Sequence, residues 1–255
     1  MRHTLKATQR LFRLSALLVF FSVYFMTQSA SALPSGFVYL SDLTPLITVD
    51  LRYFKTCNFM NTQVEGYHAN RAIMTHKAAM ALLAAEKSLN EKGYTLVIYD
   101  AYRPKKAVSH FVRWSETDEA EAQDVFYPHV EKTALFRLGY VGKVSSHTRG
   151  STVDVSILKM GAQLHEPRAL PKRFPDNEVY LYLEDGTVDM GTAFDFFDPL
   201  SWPTNKDISP TAQKNRMILQ NAMVQAGFSP FDTEWWHFTL KDEPFPNTYF
   251  DFDIE

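Results

Sequence analysis

The chain has 255 residues, 45% of them hydrophobic and 22% charged, which is enough apolar material for one full core. Its formal net charge is −3, and removing the four basic residues of the leader described next brings it to −7, a balance that argues against nucleic acid or an anionic membrane surface as partner. Cys57 is the only cysteine, so no intrachain disulfide is possible and stability has to come from the core, with a bound metal as a further source.

Residues 1–32 read as a targeting segment. Arg2, Lys6, Arg10 and Arg13 form a basic start, and an apolar run over 14–26 follows, too short to span a bilayer comfortably. Ala30-Ser31-Ala32 supplies a small-x-small cleavage signal, so the expected mature chain is 33–255, one exported domain, periplasmic in the first instance and without a stable membrane span. An uncleaved anchor is the alternative.

Within 33–255 the first predicted helix covers 75–92: Thr75 can cap it, Ala78, Leu82, Ala85 and Leu89 make an apolar stripe, and Gly93 stops it. Residues 95–99 are a β-rich run, expected as a buried strand, and Asp100-Ala101-Tyr102-Arg103 follows as a loop. Pro104 is placed in the first turn of a second helix ending near Trp114. Thr152 to Ile157 alternates polar and apolar, the pattern of a half-buried strand with its polar face toward a cleft. The region 158–189 is rich in proline and charge, and Val179 to Leu183 ahead of Asp185-Gly186 suggests a hairpin. A third helix fits 209–226, with Ser209 as cap and Gly227 as stop, and 235–240 is an aromatic, β-branched strand. Helices and strands mix without regular βαβ alternation, so the expected class is α+β, a mainly antiparallel sheet with helices packed on one side.

Two stretches carry the chemistry: Ser145-Ser146-His147 through Asp154, and Glu234-Trp235-Trp236-His237. Together they offer two imidazoles, a carboxylate able to bind metal and a second carboxylate able to act as base, the inventory of a catalytic zinc site. His147 and Asp154 are seven apart and would face opposite ways on an unbroken strand; Gly150 lets the chain turn between them. Glu234 and His237 are three apart, which a strand separates, so a bulge or strong twist is expected near Trp235, or Glu234 just before the strand. His147, Asp154 and His237 are read as ligands of one Zn2+, Glu234 as general base, and Arg103 as the cation for an oxyanion, with a surface Arg103–Asp100 pair as the plainer alternative.

These residues resemble the zinc D-alanyl-D-alanine dipeptidases of the vancomycin-resistance type, within the wider group of D,D-peptidases and hedgehog-like domains. The matching segments are Tyr53 with Asn58-Phe59, Gly66-Tyr67 with Asn70-Arg71, Asp100 to Pro104, Ser145 to Asp154, Met190 to Phe196, Glu234 to His237, and the tail from Asp242 to Phe252. The resemblance implies the same three zinc ligands, Glu234 as base and Arg103 as transition-state cation. It further implies that Tyr53, Ser145 and Asp195 line a dipeptide pocket near the substrate's free amino group, and that the substrate is D-Ala-D-Ala. A D,D-carboxypeptidase acting on muropeptides and a non-catalytic, zinc-holding wall-binding module remain the alternatives. The region 158–189 is expected to be longer than in compact family members, either folded over the cleft or set away from it.

Overall fold

The computed structural model describes residues 32–174 and 177–255. The targeting segment expected at the N-terminus lies outside these residues apart from Ala32. Among the described residues, no helix is long and apolar enough to cross a membrane.

The elements in chain order are β1 (Phe37–Tyr39), β2 (Thr48–Val49), β3 (Ile73–Thr75), α1 (His76–Asn90), β4 (Tyr94–Asp100), α2 (Lys105–Ser115), α3 (Gln123–Phe126), α4 (Leu135–Leu138), β5 (Thr152–Lys159), β6 (Arg168–Arg173), β7 (Val179–Glu184), α5 (Pro210–Gln225), β8 (Phe228–Phe231) and β9 (Glu234–Leu240). The main sheet has the order β2-β4-β5-β9-β8, antiparallel except for the β2–β4 pair. Two small sheets, β1–β3 and β6–β7, stand beside it. Helices α1 and α5 touch each other and the sheet, which places both on one side of it. The class is α+β, as the mixed patterning indicated.

The three long helices form where their caps and stripes dictate. The Thr75 hydroxyl accepts from the Ala78 amide at 3.3 Å, and Ala78, Leu82, Ala85 and Leu89 are buried. The Ser209 hydroxyl does the same for Ala212 at 3.1 Å. Such caps contribute about 1 kcal/mol each. At α2 the start differs from expectation. Pro104 is extended and stands ahead of the first turn. The acceptors for that turn come from the C-terminal tail: the Lys105 amide donates to the Phe250 carbonyl at 3.1 Å and the Lys106 amide to Asp251 Oδ1 at 2.7 Å. The tail itself is tied down. Phe252 stacks on Tyr102 with ring centres 4.0 Å apart, the Phe250 amide donates to the Thr148 carbonyl, and Ile254 bridges Tyr67.

Two expectations need correction. Strand β5 is buried on both faces, so it is covered from both sides of the sheet; Thr152, Asp154 and Ser156 are as inaccessible as Val153, Val155 and Ile157. The hairpin in 158–189 is real, but its reversal precedes β7, where the Phe174 amide donates to the Glu178 carbonyl and Asn177 adopts φ +71°. Asp185, expected in the turn, is instead a buried anchor. Its carboxylate accepts from the Arg52 guanidinium, from the Tyr99 hydroxyl at 2.5 Å and from the Thr187 hydroxyl at 2.7 Å. A buried carboxylate requires that many donors to offset its lost hydration.

Candidate active site

His147 sits on a 3₁₀ turn, Ser146–Arg149, whose cap is Ser145; the Ser145 hydroxyl accepts from the His147 amide at 3.3 Å. Gly150 then reverses the chain at φ +79°, and a Cβ added there would lie 2.2 Å from Phe37 Cε1. Both the backbone angle and the packing demand glycine. After this turn β5 begins, so His147 approaches from the loop while Asp154 projects from the strand, His147 Nε2 lying 3.3 Å from Asp154 Oδ1. His237 is the cross-strand partner of Asp154 on β9. Its Nδ1 is 3.2 Å from Asp154 Oδ1 and 3.2 Å from His147 Nε2.

The three donor atoms thus form a nearly equilateral triangle. Ligands about 2.0 Å from a tetrahedral ion stand about 3.3 Å apart, so this set can hold a small divalent cation without rearrangement. Two further observations fit. Asp154 Oδ1 is buried and has no hydrogen-bond partner among the described residues. Each imidazole has its other nitrogen occupied: His147 Nδ1–H donates to the Ala101 carbonyl at 2.7 Å, and His237 Nε2 faces Ser146 Oγ at 3.2 Å. Such outer contacts fix the tautomer that leaves the inner nitrogen free for metal. Burial would raise the Asp154 carboxyl, but the two imidazoles overcome it and hold the group well below the usual carboxylate range. Burial, with His147 nearby, lowers His237 and favours the neutral imidazole a metal needs.

Glu234 is the first residue of β9. The β8–β9 register runs regularly to Pro230–Phe238 and then jumps to Phe231–Glu234, leaving Trp235, Trp236 and His237 outside the β8 ladder. That irregularity cancels the separation a regular strand would impose, and Glu234 Oε2 comes within 3.5 Å of His237 Nδ1. Burial, reinforced by the Asp154 and Asp195 charges, raises the Glu234 carboxyl well above its ordinary value.

Arg103 is half-buried, its side chain 12% exposed, rather than a free surface residue, and it does pair with Asp100. Its Nε and Nη2 reach Asp100 Oδ2 at 2.9 and 2.8 Å, and Nη2 lies 3.5 Å from Asp154 Oδ2. A one-residue register slip at Tyr99 puts Asp100 directly opposite Asp154, two buried carboxylates that the guanidinium bridges. Asp100 also accepts from the Tyr67 hydroxyl at 2.7 Å and stands 3.5 Å from His147 Nδ1. Asp100 is more than the salt-bridge partner that the sequence suggests; its place at the end of a buried strand is the signal that it needs several donors. Ser146, which orients His237, carried no separate signal.

Tyr53 and Asp195 meet away from the triangle, the Tyr53 hydroxyl donating to Asp195 Oδ2 at 2.8 Å. Asp195 is buried with φ +57°, a conformation Asp tolerates better than most residues. Burial, helped by the negative field of Asp154, raises its carboxyl well above the ordinary value. Tyr53, Arg103, Ser145, His147, Asp154, Asp195, Glu234 and His237 all line one cavity of about 320 Å³. Its remaining wall comes mainly from the loop after α4, including Tyr140 and Val144, and from Phe231 and Trp236. Among the described residues, the β6–β7 hairpin contributes none of it.

The sequence matches the family described as D-ala-D-ala dipeptidase, Peptidase_M15, over residues 34–166 and 177–255. The chain belongs to this family. It is an enzyme of the metallopeptidase kind. It is 36% identical over 222 residues to the D-alanyl-D-alanine dipeptidase of Enterococcus faecalis and 34% over 221 residues to that of Enterococcus faecium. It is 33% identical over 219 residues to the D-alanyl-D-alanine dipeptidase of Streptomyces coelicolor. Each comparison covers 86% of this chain and 98% of the relative. The family match skips residues 167–176, a stretch that includes β6 and lies within the 158–189 region expected to differ from compact members.

Proposed function

We propose that this chain is an exported zinc dipeptidase that hydrolyses D-alanyl-D-alanine to two D-alanines. The observation that carries the reading is the convergence of His147, Asp154 and His237 in one cavity, with Glu234 beside them and the Tyr53–Asp195 pair also in its wall. A nitrogen-nitrogen-oxygen donor set with these spacings suits zinc, which when bound supplies Lewis acidity for the amide carbonyl and brings the pKa of water down to about 7.

The chain's own groups do the rest. Glu234, whose carboxyl is raised by burial and by the Asp154 and Asp195 charges, takes the proton from the attacking water and returns it to the leaving amine. Arg103, held in place by Asp100, presents a fixed cation to the oxyanion that forms. Asp195, oriented by Tyr53, receives the ammonium of the dipeptide, which in a small buried cavity needs a charged partner. Such a grip selects a free amino terminus and disfavours longer peptides. Export rests on the leader alone: its basic start, its apolar run and Ala30-Ser31-Ala32.

Activity is tested on purified 33–255 supplied with zinc, by measuring free alanine from D-Ala-D-Ala, L-Ala-L-Ala and N-acetyl-D-Ala-D-Ala. Rapid release from the first substrate alone is expected, abolished by chelator and by Glu234→Ala. Full activity in Glu234→Ala removes Glu234 as base. Recovery of the full-length chain in the cytosolic fraction removes the export assignment.

A further inference from the structure

We propose that a second cavity, of about 220 Å³ and adjoining the catalytic one, is an anion subsite that takes a carboxylate carried by the residue on the leaving side of the scissile bond. This rests on the peptidase reading above. The two cavities share Val144 and Ser145. The second is lined by Lys105 and Lys143 and, among the described residues, by no acidic one, in a chain with more acids than bases.

The lining points to an anion. Lys105 and Lys143 are exposed, and neither makes an ion pair among the described residues. The α2 N-terminus is not the donor, because the Lys105 amide is occupied by the Phe250 carbonyl.

The charges also order a zwitterionic peptide. Asp195 and Glu234 line the catalytic cavity, where Asp195 attracts the ammonium, and the lysines line the adjoining one, so the substrate's negative end is drawn past Val144 and Ser145. A cavity of this size exceeds a lone carboxylate and leaves room for an acidic side chain, with Val108 and Val144 beside its methylenes. The carboxylate is therefore either an acidic side chain or the main-chain terminus of the leaving residue.

The test uses the zinc-loaded full chain and two substrate pairs, D-Ala-D-Glu against D-Ala-D-Gln, and D-Ala-D-Ala against D-alanyl-D-alaninamide. For each pair the ratio of kcat/KM, acid over neutral, is compared between the wild type and a Lys105→Gln/Lys143→Gln variant. Both lysines are exposed, so this variant does not threaten folding. Two partly screened charges predict a fall of about tenfold in at least one ratio. A fall in the first pair identifies the side chain, and a fall in the second the main-chain terminus. Both ratios unchanged in the lysine variant overturn the subsite. If the wild type cleaves none of these peptides, it is the peptidase reading that fails. The subsite is then judged by calorimetric binding of the same four peptides, where an equal acid preference in wild type and variant overturns it.

Discussion

The substitution Asp154→Asn isolates the metal site, because it preserves the shape of the side chain and removes its charge. In the native chain Oδ1 is 3.2 and 3.3 Å from two imidazole nitrogens and lacks any hydrogen bond of its own, so a cation is the partner its geometry calls for. A ligand that binds only the folded state at a thousandfold its Kd stabilises it by about 4.1 kcal/mol. For a domain of this size each kcal/mol moves Tm by about 2–4 °C. Zinc should therefore raise the wild-type Tm by about 8–16 °C over chelated protein. Losing the only charged ligand lowers affinity by at least about a hundredfold, the upper end for merely outer contacts. At the same zinc concentration the increment for Asp154→Asn then falls to about 1.4 kcal/mol, or about 3–6 °C. The assay is differential scanning fluorimetry of each protein with zinc and with chelator. Comparing increments cancels whatever the substitution costs the metal-free fold. Equal increments in the two proteins would refute the idea that Asp154 completes the site.

Asp195→Asn should lower kcat/KM for the free dipeptide by about a hundredfold or more, the scale for stranding one member of a buried charge pair, and kinetics on D-Ala-D-Ala decide it. The same variant reports on pH. Asp195 has a folded-state pKa above its unfolded value, so its contribution to stability is intact below about 3.9 and is lost as pH rises through the folded value. In chelated protein the Tm of Asp195→Asn minus that of wild type should thus increase from pH 4 to pH 8; a constant difference rejects the raised value. Gly150→Ala should destabilise by more than about 1 kcal/mol in urea titration, because the added methyl meets the Phe37 ring and φ is +79°. An unchanged midpoint would mean that the turn between His147 and β5 tolerates a side chain.

The parts of this molecule that were legible in the sequence are those governed by local rules. Thr75 and Ser209 cap helices because a hydroxyl one residue ahead of an apolar stripe satisfies a free amide. The turn at Gly150 could be foreseen because His147 and Asp154 need one to share a ligand. What escaped reading depends on distant chain. Whether β5 is half or fully buried is decided by what packs above and below the sheet, and nothing within Thr152 to Ile157 records it. Pro104 stands one position ahead of the helix in whose first turn the sequence predicts it, and the first two amides of α2 find their acceptors in Phe250 and Asp251, far along the chain. Asp185-Gly186 has the chemistry of a hairpin turn, but Arg52 and Tyr99 claim the aspartate. The spacing of Glu234 and His237 predicts an irregular strand, while the size of the Phe231–Glu234 jump is a property of the pairing.

Residues 250–254 make durability against local opening a property of the same region that carries the chemistry. Ile254 is only 1% exposed, and its amide and carbonyl are held by Gly66 and His68. Phe250 and Asp251 supply the acceptors that start α2, and the Phe250 amide also holds the carbonyl of Thr148, the neighbour of His147. Any peeling of this stretch therefore loosens the helix start and the turn that carries His147 together, so loss of the clasp and loss of activity should coincide.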